Sequence, residues 1–300
     1  MKLVSVLRQF LLGFLLNHWP KVLVNHWWKQ RFGYTIDWEY PRDINEKIWW
    51  LLVYSDTTEW TRLSDKIKVR GYVKNKGLEE LLVPLLGNWD DAFKINFDKM
   101  PQKFVLKCNH DSGSTIYIDK MKSYNKVSIC KSLNRSLKKE YGLNGEIQYR
   151  GIIPRMVIAE EALENDYPQI SSSIIDYKVW CFNGKPFGIL TCHNRTDKTL
   201  CLCMYDLNWK AHAEWCVFSS HYINGGDVIP RPGCLDEMLK SAAKLSEGFP
   251  EVRVDFYISK GKLYLGEMTF SSMRGMMGYY TPDILRIMGD KCDLTKTKRK

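Results

Sequence analysis

Several common enzyme signatures are missing from this chain. No G-x-x-x-x-G-K-[ST] run occurs, so nothing supports a P-loop. No two glycines stand as G-x-G, which removes the dinucleotide-binding fingerprint. H-E-x-x-H is absent, and so is D-x-D, which weighs against a metal-dependent nucleotide-sugar glycosyltransferase. The six histidines are scattered and form no ligand cluster. Nine cysteines include no C-x-x-C pair, so neither a zinc ribbon nor a thioredoxin-type site is expected. Cys201 and Cys203 sit in an apolar run, where buried strand thiols are the expectation. No small-residue cleavage site follows the apolar start, so no secretory signal is expected. A reducing cytoplasm fits such cysteine usage, and the sequons at Asn134 and Asn194 are then chance matches. The opening "MKLVSVLRQFLLGFLL" is broken by Arg8 and Gln9 and is too short to span a bilayer.

What is present is a chain of 300 residues with a net charge of +10. That length suggests about two domains and allows a large core without disulfide staples. The positive balance favours polyanionic partners: nucleotides, acidic glycans, nucleic acid or an anionic membrane surface. Nucleic acid would rest on charge and aromatics alone, and it is not expected as a partner. The apolar start runs into a basic, Trp-rich stretch of Trp19, Lys21, Trp27, Trp28, Lys29 and Arg31. Residues 1–30 therefore fit an interfacial membrane helix at the inner face of the cell membrane, and also a helix docked on the core. The sequence leaves both readings open.

Along the rest of the chain the hydrophobic period changes repeatedly. "NEKIWWLLVYS" predicts a helix, and "DKIKVRGY" another with Asp65 at its start. "GLEELLVPLLG" reads as a strand or strand-turn. From Lys103, "KFVLK", the loop "CNHDSGS" and "TIYID" read as strand, loop, strand. A basic helix is expected over 124–141, then a strand ending at Glu160-Glu161. "DYKVWCFNGKPFGIL" is a hairpin turning at Asn183-Gly184, and "TLCLCMYD" is a further strand. "CLDEMLKSAAKLSEGF" and "TPDILRIMG" are helices on either side of the ribbon "VRVDFYISKGKLYLGEMTF". "KTKRK" closes the chain as a solvated, disordered basic tail.

Three clusters carry chemistry. Lys107 precedes a loop of small and polar residues, including His110, Ser112, Gly113 and Ser114. Backbone N–H groups there can cradle phosphate, and lysine adds a point charge. Second come Glu160, Glu161, Ala162 and Leu163 at a strand end, with Lys178 in the next strand. Such a strand end offers backbone groups to a purine edge, and a carboxylate can accept from ribose. Third is the ribbon, where Asp255 and Glu267 lie among Val, Phe and Leu. Ionised carboxylates in such places need a positive charge. A three-residue loop, Ser259-Lys260-Gly261, would put Arg253 opposite Glu267 and Asp255 on the same face. A two-residue Lys260-Gly261 turn would shift the register by one and separate the carboxylates. Magnesium shared with nucleotide phosphates is the favoured counter-charge; a simple Arg253–Glu267 cross-strand pair is the alternative.

In this order the pieces resemble the ATP-grasp superfamily, and most closely its TupA-like, teichuronopeptide-synthesis branch. The match rests on "FVLKCNHDSGS", "DYKVWCFNGKP", "VRVDFY" and "GEMTF", with "NEKIWW" and "DKIKVRGYV" upstream. It covers roughly residues 40 to 290. Thr269 stands where the general E-x-N plan has asparagine, a weaker metal contact, and the phosphate loop has one glycine.

The resemblance implies an α+β fold in which two subdomains sandwich a nucleotide behind a helical N-terminal segment. The implied boundaries are 1–35 and 36–100, then 101–159 and 160–290 for the two subdomains, with a tail over 291–300. ATP and Mg2+ are the implied cofactors. Lys107, Ser112, Gly113, Ser114 and Lys178 would face the phosphates. Glu160 or Glu161, with Ala162 and Leu163, would read adenine and ribose. Asp255, Glu267 and Thr269 would hold metal, and Arg253 and Lys178 would carry catalysis. His110, Arg195 and Arg274 are candidates for the substrate. The implied reaction joins a carboxylate, from an acidic glycan or amino acid, to an amine in cell-surface polysaccharide synthesis. A kinase acting on a sugar hydroxyl would share the nucleotide half. A glycosyltransferase and a non-catalytic assembly protein complete the alternatives.

Overall fold

The structure is a computed structural model that describes residues 2–297. Two helices open it, α1 (Lys2–His18) and α2 (Pro20–Phe32). Pro20 starts α2 and left-handed Gly33 ends it, its N–H donating to the Lys29 carbonyl over 3.0 Å. Val24 and Trp28 of α2 are fully buried in the main core. One face of α1 docks through Leu12 and Leu16 onto Leu23 and Leu143. Gly13 makes that approach possible, since a Cβ there would sit 3.3 Å from Arg150 Nη2. The opposite face leaves Leu7, Phe10, Leu11 and Phe14 exposed. So α2 is a docked helix, whereas α1 is docked on one side and apolar on the other. Among the described residues, no helix is long and apolar enough to cross a membrane.

The first sheet has the order β1-β4-β2-β3, all antiparallel. Its strands are β1 (Leu85–Trp89), β2 (Lys103–Cys108), β3 (Ile116–Asp119) and β4 (Val157–Glu161). Helix α6 (Lys126–Lys138) covers one face, where Cys130 and Leu133 meet Phe104, Leu106, Val157 and Ala159. Strand alternation then sends Val105, Lys107, Ile158 and Glu160 to the other face. The sheet takes β1 from the segment expected at 36–100, and β4 straddles the expected boundary at 159/160. The stretch read as "GLEELLVPLLG" begins with a 3-10 turn at Glu79–Leu81, and its strand starts only at Leu85.

The second sheet runs β10-β9-β5-β6-β7-β8. Its strands are β5 (Asp176–Phe182), β6 (Lys185–His193), β7 (Leu200–Tyr205), β8 (Tyr222–Asn224), β9 (Val252–Ser259) and β10 (Lys262–Thr269). The β5–β6 hairpin turns at Asn183-Gly184, both at positive φ, as expected. Helix α7 (Leu235–Ser246) packs on β5, β6 and β9, burying Leu235, Met238, Ala242 and Leu245. Helices α3 (Ile44–Tyr54) and α8 (Pro282–Lys291) pack together. Asn45 of α3 exchanges two buried hydrogen bonds with the Met277 backbone. Between the sheets lie α4 (Thr58–Ser64) and α5 (Lys68–Asn75), and the Leu82–Leu265 bridge joins the two layers. In the expected tail, Lys291 ends α8 and Leu294–Lys296 form a 3-10 turn; residues 298–300 lie outside the described residues.

The β9–β10 ribbon corrects one expectation. Lys262 pairs with Ser259, so the turn has two residues, Lys260 and Gly261. Both have positive φ, 54° and 70°, as a type I′ turn requires. The remote Asp166 carboxylate accepts from the N–H groups of both residues, over 2.6 and 2.8 Å. That contact offsets the strain of a non-glycine residue there. Such a turn alone would have separated the two carboxylates. A bulge at Gly266 shifts the register back, and Glu267 stands opposite Asp255.

His193 and His110 are buried, and burial lowers the pKa of each. The unfolded chain, with histidine near 6.5, therefore binds more protons than the folded one in mildly acidic solution. The share of stability that these two histidines contribute is full above about pH 6.5 and falls as the pH drops toward their lower folded-state values, whereas Glu251, buried and held well above the usual carboxylate range, acts in the opposite sense. His193→Gln should raise the urea midpoint at pH 5 relative to that at pH 7; an unchanged difference between the two would exclude His193 as a contributor.

Candidate active site

The second sheet builds one half of the site. Strand β5 aims Asp176 and Lys178 to the face away from α7, and β9 adds Arg253, Asp255 and Tyr257. After the bulge, β10 adds Glu267 and Thr269. Asp255 is buried, and both its oxygens are engaged. Lys178 Nζ donates to Oδ2 over 2.6 Å. Arg253 donates from Nε to Oδ1 and from Nη2 to Oδ2, each over 2.7 Å. Burial alone would raise the Asp255 pKa; Arg253 and Lys178 outweigh it and hold the carboxyl below its usual value. Burial likewise opposes the charge on Lys178, and Asp176 with Asp255 overcomes it and raises that pKa. The positive charges at Asp255 in this structure are thus two side chains.

Glu267 is in a different situation. Its side chain is 39% exposed, so it opens to the cleft rather than lying among apolar neighbours. Thr269 Oγ1 donates to its Oε1 over 2.9 Å, and Arg253 lies 3.8 Å away. Arg253 also donates to Ser272 Oγ and, over 3.2 Å, to Thr269 Oγ1.

The first sheet supplies the facing half. Lys107 pairs with Glu160 over 2.6 Å, and Arg70 approaches the same carboxylate at 3.5 Å. Lys66 donates to the Asp111 carbonyl. Burial lowers its pKa, with Glu267 and Asp111 opposing and Lys107 reinforcing that shift. Asn109 fixes this corner: it donates to Asp65 and Pro154, and its side chain accepts from Met156 N–H. Lys66, Arg70, Lys107, Glu160 and Glu267 line one cleft. It holds only about 20 Å³, because the ion pairs fill it.

The other expected site residues divide. Ser112 and left-handed Gly113 are exposed, while Ser114 turns back, accepting from Cys108 N–H and donating to Asp111. Glu161 is exposed, and Ala162 and Leu163 are half-buried beside it. Arg195 pairs with Asp176 over 3.0 Å at the same sheet face. Arg274 lies 3.8 Å from Glu146. His110 is turned inward, Nε2 against the Lys139 carbonyl at 3.4 Å, so it does not face the cleft. Lys66, Arg70 and Ser272 escaped the sequence reading. Lys66 carried a signal in "DKIKVRGY", where every residue read as helix; the lysine in fact precedes the helix.

A model of the TupA-like ATP-grasp family matches residues 46–292. The chain belongs to the TupA-like ATP-grasp family. No curated protein matches it. Among solved structures, it is similar to the D-alanine–D-alanine ligase from Bacillus anthracis, at 15% identity and a TM-score of 0.43. That alignment takes in 72% of this chain and 60% of the ligase, so the chain spans under two thirds of its length. It is also similar to the ATP-grasp ligase PsnB in complex with a phosphomimetic precursor variant, Mg and ADP. There the identity is 15% and the TM-score 0.47, over 84% of this chain and 67% of the other. The D-alanine–D-alanine ligase from Helicobacter pylori aligns at 13% identity and a TM-score of 0.44, over 85% and 68%.

Gly266 sets the geometry of this family member's carboxylate pair. A Cβ there would lie 2.8 Å from the Tyr257 ring and 3.2 Å from the Asp255 carbonyl oxygen. Gly266→Val should destabilise the protein by about 1–3 kcal/mol, through overpacking against backbone that cannot move. It should also weaken Mg-ATP binding at least tenfold. Denaturant melts and nucleotide titration test this; wild-type nucleotide affinity in the variant would show that the bulge is dispensable.

Proposed function

We propose that this protein is an ATP-dependent carboxylate–amine ligase of cell-surface polysaccharide synthesis. The supporting observation is a cleft lined by charge. Lys66, Arg70 and Lys107 line one cleft with Glu267, whose cross-strand neighbour Asp255 is bonded to Lys178 and Arg253. Phosphoryl transfer asks for positioning and charge neutralisation more than for a protein nucleophile, and this is what such a cleft supplies. The polysaccharide role rests on the resemblance to the teichuronopeptide branch.

The donor set fits magnesium. Among the described residues, no group of three or more His, Cys, Asp or Glu is gathered for a metal. Magnesium needs only one or two carboxylates when substrate phosphates complete its shell. Glu267, with one oxygen unclaimed, and Asp255 are those carboxylates, and Thr269 supplies a neutral oxygen. When bound, the ion neutralises charge on the phosphates. Asp255 becomes available to it when Lys178 turns from the carboxylate to phosphate. Lys107 is released from Glu160 in the same way, which frees Glu160 for the nucleoside. Arg253 stays on Asp255, and the one Nη1–H beyond its bonds to Asp255, Ser272 and Thr269 is left for the reacting carboxylate. One oxygen of that carboxylate takes the γ-phosphoryl group, and ADP leaves. An amine then attacks the acyl carbon, phosphate departs, and the nitrogen sheds a proton to give the amide. Incubation with ATP, magnesium and acid–amine pairs should yield ADP, phosphate and an amide. A phosphorylated hydroxyl without amide would replace this reading with that of a kinase.

The site of action is the inner face of the cell membrane. Residues 1–36 carry five Lys and Arg and no Asp or Glu. Beside this charge, Leu7, Phe10, Leu11 and Phe14 form one exposed stripe on α1, a pattern suited to anionic lipid. Deleting residues 1–30 would remove Trp28 from the core, so point variants are the sound test. Phe10→Glu with Phe14→Glu should abolish co-sedimentation with anionic vesicles and leave the melting temperature near that of the parent. Equal sedimentation of the variant would overturn the membrane reading.

A further inference from the structure

A second cavity, of about 250 Å³, lies beside the cleft and has no part in the chemistry above. Its walls include Arg8 and Gln9 of α1, Lys139 and Tyr141 after α6, Glu146, and Arg274. Tyr141 connects it to the phosphate loop, since its hydroxyl interacts with both Glu146 and Ser112. Glu146 in turn lies within electrostatic reach of Glu267. The cavity therefore borders the loop through Tyr141, and Glu146 on its wall feels the charge of Glu267.

Its charge is unbalanced. Among the described residues Arg8 and Lys139 make no ion pair, and Glu140 at the rim is held by Arg150 over 3.0 Å. Glu146, the remaining anion, lies 3.8 Å from Arg274, and burial raises its pKa. Arg274 is set with unusual backbone: it and Met273 have φ of 61° and 48°, a region side chains rarely adopt. The Arg274 N–H donates to Ser271, whose hydroxyl accepts from Gln148 over 2.7 Å. A strained residue held in this way, with its guanidinium at a cavity wall, suits ligand binding better than stability. The volume is small against the roughly 300–1,000 Å³ of pockets for larger ligands, so it admits one sugar or amino-acid unit.

The geometry points to this cavity as the acceptor subsite, where Arg8, Lys139 and Arg274 hold a small carboxylate-bearing, hydroxyl- or amine-substituted unit and Tyr141 orients it toward the phosphate loop. This rests on the ligase reading for its reaction, but the binding claim stands on its own. It also gives α1, which lies outside the matched residues 46–292, a share in specificity.

The test uses full-length protein with magnesium and ADP, and D-glucuronate and L-glutamate as probes, with D-glucose as the neutral control. At least one acid should bind by calorimetry, and glucose should not. Arg8→Glu and Lys139→Glu, both exposed in the parent and so tolerant of change, should each weaken that binding at least tenfold. ADP affinity should be unchanged in both. Binding of neither acid, equal binding of glucose, or full binding by both variants would overturn the subsite. Amide synthesis with a normal KM for the acid in Arg8→Glu would overturn the subsite and spare the ligase. Acid binding lost in the variants, with no amide from any pair, would spare the subsite and sink the ligase.

Discussion

Asp255 is the constraint on which this site depends. A carboxylate removed from water must be met by positive charge, and here Lys178 and Arg253 meet it on both oxygens. Removing Arg253, which bonds both oxygens, would leave Asp255 to Lys178 alone, and breaking a buried pair of this kind costs about 3–5 kcal/mol. The arrangement fixes more than Asp255. Arg253, held by two bonds to the carboxylate, has its remaining donors aimed at Thr269 and Ser272. Thr269 then orients Glu267. One desolvated anion thus sets the direction of four side chains on two strands and the turn beyond.

The same logic is repeated across the cleft. Glu160 holds Lys107 on the first sheet much as Asp255 holds Lys178 on the second. Each lysine is partnered by a carboxylate that an arriving phosphate would rival. A phosphate carries more charge than a carboxylate and takes several donors at once. Each lysine then keeps a charge-assisted bond, and the carboxylate it leaves is still met by a second cation, Arg70 at Glu160 and Arg253 at Asp255. The cleft is small, about 20 Å³, with the Lys107–Glu160 pair on its walls. Lys66 differs, since its partner is the Asp111 carbonyl and not a carboxylate. It can meet phosphate without leaving an anion behind.

Much of this was legible in the sequence because strand alternation is a strict rule. Knowing that 253, 255 and 257 share a face needed only the period of a strand, and so did 176 and 178. Helices α3, α6, α7 and α8 were visible in their apolar spacing. The ribbon was read correctly in its outcome and wrongly in its turn. Asp166, about a hundred residues upstream, stabilises the two-residue turn, and no local pattern reveals a partner so distant. The bulge at Gly266 was not foreseen; a side chain there would meet the Tyr257 ring and the Asp255 carbonyl, neighbours that only the paired strands bring close. His110 looked like a phosphate ligand from its place in a polar loop. Its inward turn depends on Lys139, which a linear reading cannot bring near. Lys66 and Arg70 belong to the same class of omission: ordinary basic residues until folding sets them opposite Glu267 and Glu160.

The N-terminal helix draws these strands together. Its inward face packs on Leu143 and lines the second cavity with Arg8, while its outward face shows Phe10 and Phe14 to the surroundings. On a helix these faces are joined rigidly, because residue 12 lies on the side opposite 7, 10, 11 and 14 and residue 8 on the flank between them. Any surface that takes up the outward stripe therefore fixes the height and tilt of Arg8 as well. A charged acceptor unit presented at that surface would meet Arg8 and Arg274 before it reached Glu267. If the proposed subsite and the proposed surface contact both hold, recognition of the acceptor and attachment to the surface are two consequences of one helix.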